Sequence, residues 1–228
     1  MNSADDGYIA VLHRQIEAMR QCGQFDLWVE MNPGAEDDRV AELENDIQGE
    51  AGMEGFHVLG AMRTIFQSAN GFLFYWASRT DVDGPGIAKG YSAISGLARI
   101  YWPPDGSSLP YDSLYERYTI FDRTDPQQQS HVALRFSRDR EEPEFYYYTQ
   151  QSDTYWRLAL DFADYMDLLL QTRAMVGWQE FFVAGDAPPL DRDGAERFIR
   201  RLGRLFPDAD LARFRRALAR RVGGEEST

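Results

Sequence analysis

Hydrophobic positions along the chain change their period twice, from helical to alternating and back to helical. Tyr8, Leu12, Ile16 and Met19 follow a helical spacing that predicts a first helix, with Asp5 and Asp6 as candidate caps and Gly23 as its stop. After the Asn32-Pro33-Gly34 turn, Val40, Leu43 and Ile47 mark a second helix, with Glu42, Glu44, Asp46 and Glu50 largely on its outer side. Gly49, Gly52 and Gly55 end it. Leu59, Met62, Ile65, Phe66 and Ala69 give a third helical face, which stops at Asn70-Gly71, where either residue can take the left-handed conformation that closes helices.

Phe72 to Ser78 then reads as a strand, with Phe72, Phe74 and Trp76 on one face and Leu73 and Tyr75 on the other. Four further strands are expected at Leu97 to Trp102, Arg117 to Asp122, His131 to Phe136 and Glu144 to Gln150. The helical period returns at Asp161 with Phe162, Met166, Leu169 and Leu170, and Gly177 separates this helix from Trp178 to Phe182. After Ala187-Pro188-Pro189 come helices over Arg192 to Phe206 and Asp208 to Arg221, separated by Pro207. Helices, then strands, then helices indicate an α+β fold, a mostly antiparallel central sheet with N-terminal and C-terminal helices packed around it. The chain of 228 residues fits one domain over 1–228, with 187–222 as an Arg-rich helical extension and 223–228 as a frayed tail.

Composition narrows the function. No run of eighteen apolar residues exists, and the N-terminal MNSADDGYIA has acids where a signal peptide has positive charge, so a soluble cytoplasmic protein is expected. The single cysteine, Cys22, rules out an intrachain disulfide and offers no zinc cluster. A net charge of -13 argues against a general affinity for nucleic acid or anionic membranes and favours a basic partner. The charge is uneven: residues 1–60 hold thirteen acids against Arg14, Arg20 and Arg39, whereas residues 191–222 hold ten arginines against five acids. The basic tail reads as a solvated amphipathic helix pair docked on an acidic body.

Candidate chemistry is sparse. His13, His57 and His131 lie in no nucleophile–base motif, and the chain has no G-x-S-x-G, Walker loop, H-E-x-x-H or G-x-G-x-x-G. DVDGPG, Asp81 to Gly86, begins like a calcium loop but has Ser92 at the position where the loop needs Glu, so it reads as a polar turn. DRDG, Asp191 to Gly194, reads as a helix start. In EFYYYTQ, alternation sends Tyr146 and Tyr148 to one face and Phe145 and Tyr147 to the other, as in a sheet packed on at least one side. Paired carboxylates for glycoside hydrolysis remain an open alternative, because their separation is not written in a sequence. The sharpest signal is the acidic run Glu36 to Glu54, eight acids and one arginine, which suits either a solvated helix face or a surface that steers a basic partner.

The acidic helix around VAELENDI, the helix closing at TIFQSANG, the strand FLFYW, the strand ending in IFD at Ile120 to Asp122, and LALDFADYMDLLLQTRAMVGWQEFF resemble, in their order, the SUKH superfamily. That family includes a fungal cell-wall regulator and many bacterial immunity proteins that neutralise polymorphic toxins. The resemblance spans roughly Val40 to Phe182 and departs at Gly55-Phe56-His57, where the family often has Leu-Pro. It implies a domain without catalysis or cofactor that binds a cognate toxin domain, one that is basic and targets nucleic acid. No contact residue carries over by motif, and Glu42, Glu44, Asp46, Glu50 and Glu54 are the candidate contact set. An intracellular scaffold or regulatory module is the alternative from another class.

Overall fold

The structure is a computed structural model that describes residues 7–51, 56–81, 86–101, 118–137, 140, 142–184 and 190–225. The elements run α1 (Tyr8–Cys22), β1 (Phe25–Met31), α2 (Asp37–Ala51), α3 (Gly60–Ser68), β2 (Phe72–Ser78), β3 (Lys89–Ile94), α4 (Leu97–Tyr101), β4 (Thr119–Arg123), β5 (Ser130–Arg135), β6 (Glu144–Thr149) and β7 (Thr154–Arg157). Then follow α5 (Phe162–Gln171), a 3-10 turn (Trp178–Phe182), α6 (Arg192–Leu205) and α7 (Leu211–Glu225). The fold is α+β, as expected. All strand pairs are antiparallel and every strand lies beside its sequence neighbour, so the seven strands form a simple meander, β1 to β7.

Strict alternation builds the inner face. In β2, Phe72, Phe74, Trp76 and Ser78 are buried, while Leu73, Tyr75 and Ala77 are only half-buried on the reverse side. Trp76 is fully buried, and its Nε1 donates to the Arg173 carbonyl at 2.6 Å. Opposite it in β3 stands Gly90, where a Cβ would lie 1.9 Å from the indole nitrogen and 2.7 Å from the Arg173 carbonyl oxygen. Only a residue without a side chain fits there. Phe25 and Phe206 meet the same indole edge to face at 5.3 and 5.2 Å, which joins the first strand and the C-terminal helices to one core.

Three strands escape the expected pattern, and one expected strand is a helix. β1, β3 and β7 carry polar or exposed residues at about half their positions, and β7 has only four residues. The strand expected from Leu97 is instead α4, because Leu97, Ile100 and Tyr101 are buried at i, i+3 and i+4. α3 closes at Ala69 in the extended conformation rather than through a left-handed cap at Asn70-Gly71, and Asn70 Oδ1 instead accepts from the Leu97 N–H at 2.8 Å and caps the start of α4. Gly71 takes φ +87, and a Cβ there would lie 2.7 Å from the Ile94 carbonyl oxygen. The expected Asp5 and Asp6 caps lie outside the described residues, as do Arg117, Trp102, residues 82–85 of the polar turn and residues 226–228 of the tail. Gly23 closes α1 in the left-handed conformation, and Asp191 caps α6 by accepting from Gly194 N–H. α7 starts at Leu211 rather than Asp208 and continues to Glu225.

The Arg-rich helices dock as an amphipathic pair. Ile199, Leu202, Leu205, Phe214 and Ala217 are buried, while Arg213 and Arg220 reach Asp167 and Asp164 on α5, and Arg215 reaches Glu196 on α6. Each such exposed pair contributes about 0–1 kcal/mol, so burial of the apolar face carries the docking.

A buried polar cluster interrupts the core at β4. Between Ile120 and Asp122 the register slips at a bulge, so Phe121 and Asp122 both face inward. Asp122 accepts from Ser92 Oγ and Ala93 N–H at 2.9 Å each and from the Tyr165 hydroxyl at 2.7 Å. Burial pushes its carboxyl up to about 7, against the downward pull of those hydrogen bonds.

Two outcomes are expected. Gly90→Ala should cost about 3 kcal/mol or more by forcing the Trp76 indole from the Arg173 carbonyl, whereas Gly49→Ala, with open space in α2, should stabilise by about 0.5–1 kcal/mol. Urea midpoints measure both. For Asp122, the folded state holds a proton that the unfolded chain releases near pH 3.9, so its contribution is complete below about pH 4 and is lost as pH rises through about 7. Urea titrations across that window should show a slope of up to about 1.4 kcal/mol per pH unit in the native protein that Asp122→Asn removes.

Candidate interaction face

Of the five acids expected to meet a partner, Glu42, Glu44 and Asp46 have described side chains, and they do not share one surface. Glu42 is exposed and pairs with Arg39 at 2.8 Å, and Asp46 is exposed on the same helix. Glu50 lies in the last turn of α2, and Glu54 is outside the described residues. Glu44 does not belong on the outer side. It is 7% exposed, accepts from Arg63 Nη2 at 2.6 Å and from Val58 N–H at 2.8 Å, and so ties α2 to the entry of α3. Glu44 stands four residues after Val40 and three before Ile47, both buried, so the helical period itself places it at the edge of the inner face. Burial raises its pKa, but the hydrogen bonds from Arg63 and Val58 and the nearby charges outweigh that, and the net shift is downward.

The broadest candidate surface is the reverse of the sheet. Pair registers align Trp28 with Tyr75, Tyr75 with Tyr91, His131 with Tyr148, and Tyr148 with Tyr155 on that face, and Tyr118 enters β4 beside them. Rings from the helices, such as Phe162, Tyr165 and Phe206, meet Phe121, Phe145, Phe25 and Trp76 on the inner face. Among the described residues, the rings of the reverse face meet only one another. Tyr118 stacks on Tyr155 at 4.0 Å and meets Tyr146 edge to face at 5.0 Å, while His131 stacks on Tyr148 at 4.8 Å. His131 Nε2 and the Tyr155 hydroxyl are 3.1 Å apart. Trp28 is 60% exposed, with its indole N–H on Glu30 at 3.0 Å.

Charges sit between the rings. Asp26 and Glu30 lie towards the β1 edge, whereas Arg123, Arg135 and Arg157 lie towards β4 to β7, with the Arg135 guanidinium over the Tyr118 ring at 5.8 Å. Burial lowers the pKa of His131, and the Arg123 charge lowers it further, which favours the neutral ring. Rigid rings with polar tips and interspersed arginines are the composition of protein-binding surfaces, because they bring large contact area with few rotamers to freeze. Among the described residues, no group of three or more His, Cys, Asp or Glu is placed to hold a metal ion, and no helix is long and apolar enough to cross a membrane.

Sequence reasoning identified the alternation of Tyr146 and Tyr148 but not the face they belong to. Trp28, Tyr91 and Tyr155 lie on the three strands that carried no clear strand signal, and only the pair registers bring their rings into one surface. Comparison of the chain with protein-family models, with characterised proteins and with solved structures finds no match in any of the three.

Glu44→Gln should destabilise the fold by about 2 kcal/mol, because Val58 N–H and Arg63 lose a charged acceptor, while Glu42→Gln should stay within about 0.5 kcal/mol. With a depressed folded pKa, the Glu44 contribution is present above the unfolded value near 4.3 and is lost as pH falls through the folded value. Urea midpoints measured on the acid side should therefore fall less steeply in Glu44→Gln than in the native protein.

Proposed function

We propose that this chain is a non-catalytic immunity protein of the SUKH kind, which binds a bacterial toxin domain and covers its active site. The observation that carries the reading is the one-sided sheet. Helices occupy one face, and the other presents aromatic side chains and arginines over several strands, more than a small-ligand site needs. The net charge of -13 and the exposed Glu42 and Asp46 favour a basic partner, such as a toxin that acts on nucleic acid, since a negative field speeds the approach of a positive protein. Arg213, Arg215 and Arg220 of the C-terminal helices pair with α5 and α6 rather than with α2.

Co-expression with the toxin encoded beside it is the direct test. Growth should be rescued, and the two proteins should co-purify. Trp28→Ala and Tyr75→Ala should each weaken the complex by about 30-fold or more without altering the urea midpoint by more than about 1 kcal/mol, as expected of exposed aromatic anchors. Glu42→Lys combined with Asp46→Lys should slow association, chiefly at low salt. Undiminished toxicity with both proteins soluble removes the immunity reading, and a stable non-toxin partner recovered from the native host replaces it with the scaffold reading.

A further inference from the structure

At the β4 to β6 end of the aromatic face lies an open cavity of about 340 Å³, lined by Arg123, His131, Tyr148, Gln128 and Gln150 over Ile120. Among the described residues no acid lines it, although the protein as a whole carries a net charge of -13. Arg123 is half-buried, and among the described residues no carboxylate lies within ion-pair distance of it. The other half-buried or buried arginines differ: Arg63 has Glu44, Arg173 has Asp208, and Arg201 and Arg221 bond the carbonyls of Gly86 and Val183. The acids nearest in sequence are committed elsewhere: the buried Asp122 carboxylate accepts from Ser92, Ala93 and Tyr165 on the inner face, and the Asp125 carboxylate accepts from the N–H groups of Gln127 and Gln129 and folds the turn that presents Gln128 with φ 60. A larger cavity at the opposite end of β6, about 660 Å³, leaves neither of its arginines open, because Glu144 there joins Arg140 at 2.7 Å and Arg157 at 3.1 Å.

We propose that the Arg123 cavity is a carboxylate-binding site that seats an Asp or Glu side chain of the protein partner. The inference rests on the reading of the aromatic face as the docking surface. A guanidinium offers two parallel N–H donors that match the two oxygens of one carboxylate, and the single positive charge balances a single negative one. The amides of Gln128 and Gln150 are neutral donors at the rim, and Tyr148, whose hydroxyl is committed to Asp153 at 3.0 Å, supplies a ring as the wall. A phosphate dianion has twice the charge that one guanidinium balances, which is the reason for assigning a carboxylate. His131 is the internal reporter, faced by Arg123 from β4, Tyr148 from β6 and Tyr155 from β7. A bound anion offsets the Arg123 field and moves the ring towards protonation.

The test is an NMR titration of the whole chain with N-acetylglutamate amide, with N-acetylglutamine amide and inorganic phosphate as comparisons at constant ionic strength. The glutamate analogue should give saturable shifts of the His131 ring and Arg123 side-chain signals, raise the His131 pKa, and lose these effects in Arg123→Gln. Arg123→Lys, which keeps the charge but not the fork, should bind at least five-fold more weakly, and it stands in if Arg123→Gln fails to fold. Equal shifts from the glutamine analogue, tighter binding of phosphate, or unchanged binding in both variants would overturn the proposal. So would an Arg123→Gln protein that binds the toxin as tightly as the native chain. Failure of any toxin to bind, with the glutamate analogue still held at Arg123, upholds the site and removes the function proposed above, so the two readings fail separately.

Discussion

The indole of Trp76 is the point through which the two ends of the chain are held together. It is fully buried, its N–H is satisfied by the Arg173 carbonyl, and Gly90 leaves the space it fills. A buried N–H without an acceptor costs about 1–3 kcal/mol, so the carbonyl has to be delivered to that spot. Delivery needs two successive left-handed residues, Arg173 at φ 52 and Ala174 at φ 55, which only a well-determined surrounding holds in place. The Arg173 side chain supplies much of that surrounding, bonding the Leu170 carbonyl at 2.6 Å and Asp208 at 2.8 Å while lying over the Phe206 ring. The same segment continues the sheet, with Tyr91 N–H on the Ala174 carbonyl and Val176 N–H on the Lys89 carbonyl, beside a β3 that pairs with β4 at only two positions.

That arrangement has a consequence for the other side of the sheet. The return from α5, the 3-10 turn and the C-terminal helices are all drawn onto the inner face, where Phe206, Trp178 and Phe182 join the core. The reverse face keeps its tyrosines half-buried by one another. Its stacked rings and the Arg135 to Tyr118 contact hold the side chains in few orientations. The core therefore decides which face of the sheet the helices leave open among the described residues.

Much of the architecture was legible where the apolar period is strong. The alternation in FLFYWAS and the helical spacing of Tyr8, Leu12, Ile16 and Met19 survive intact in the structure, because each pattern states directly which residues share a face. Leu97 to Tyr101 failed because five residues do not separate a strand from a single helical turn. The deciding group, the Asn70 carboxamide, lies 27 residues earlier. β1 escaped notice because Asp26, Trp28 and Glu30 face outward between apolar positions that are only partly buried. Glu44 was readable in principle, since its spacing from Val40 and Ile47 puts it at the core's edge, but charge alone assigns a glutamate to water.

The sequence by itself determined the α+β order, the alternation of side chains in β2 and β6, the amphipathic C-terminal pair and the acidic second helix, all of which depend on residues close together in the chain. Only the tertiary structure decided that Trp28, Tyr75, Tyr91, Tyr118, Tyr148 and Tyr155 share one face, that Asp122 is buried at a bulge, and that Arg123 has no carboxylate within ion-pair distance among the described residues. Strand register and long-range burial set these features. A shift of one residue in any strand would send its rings to the opposite side, and no local pattern encodes which strand lies next to which.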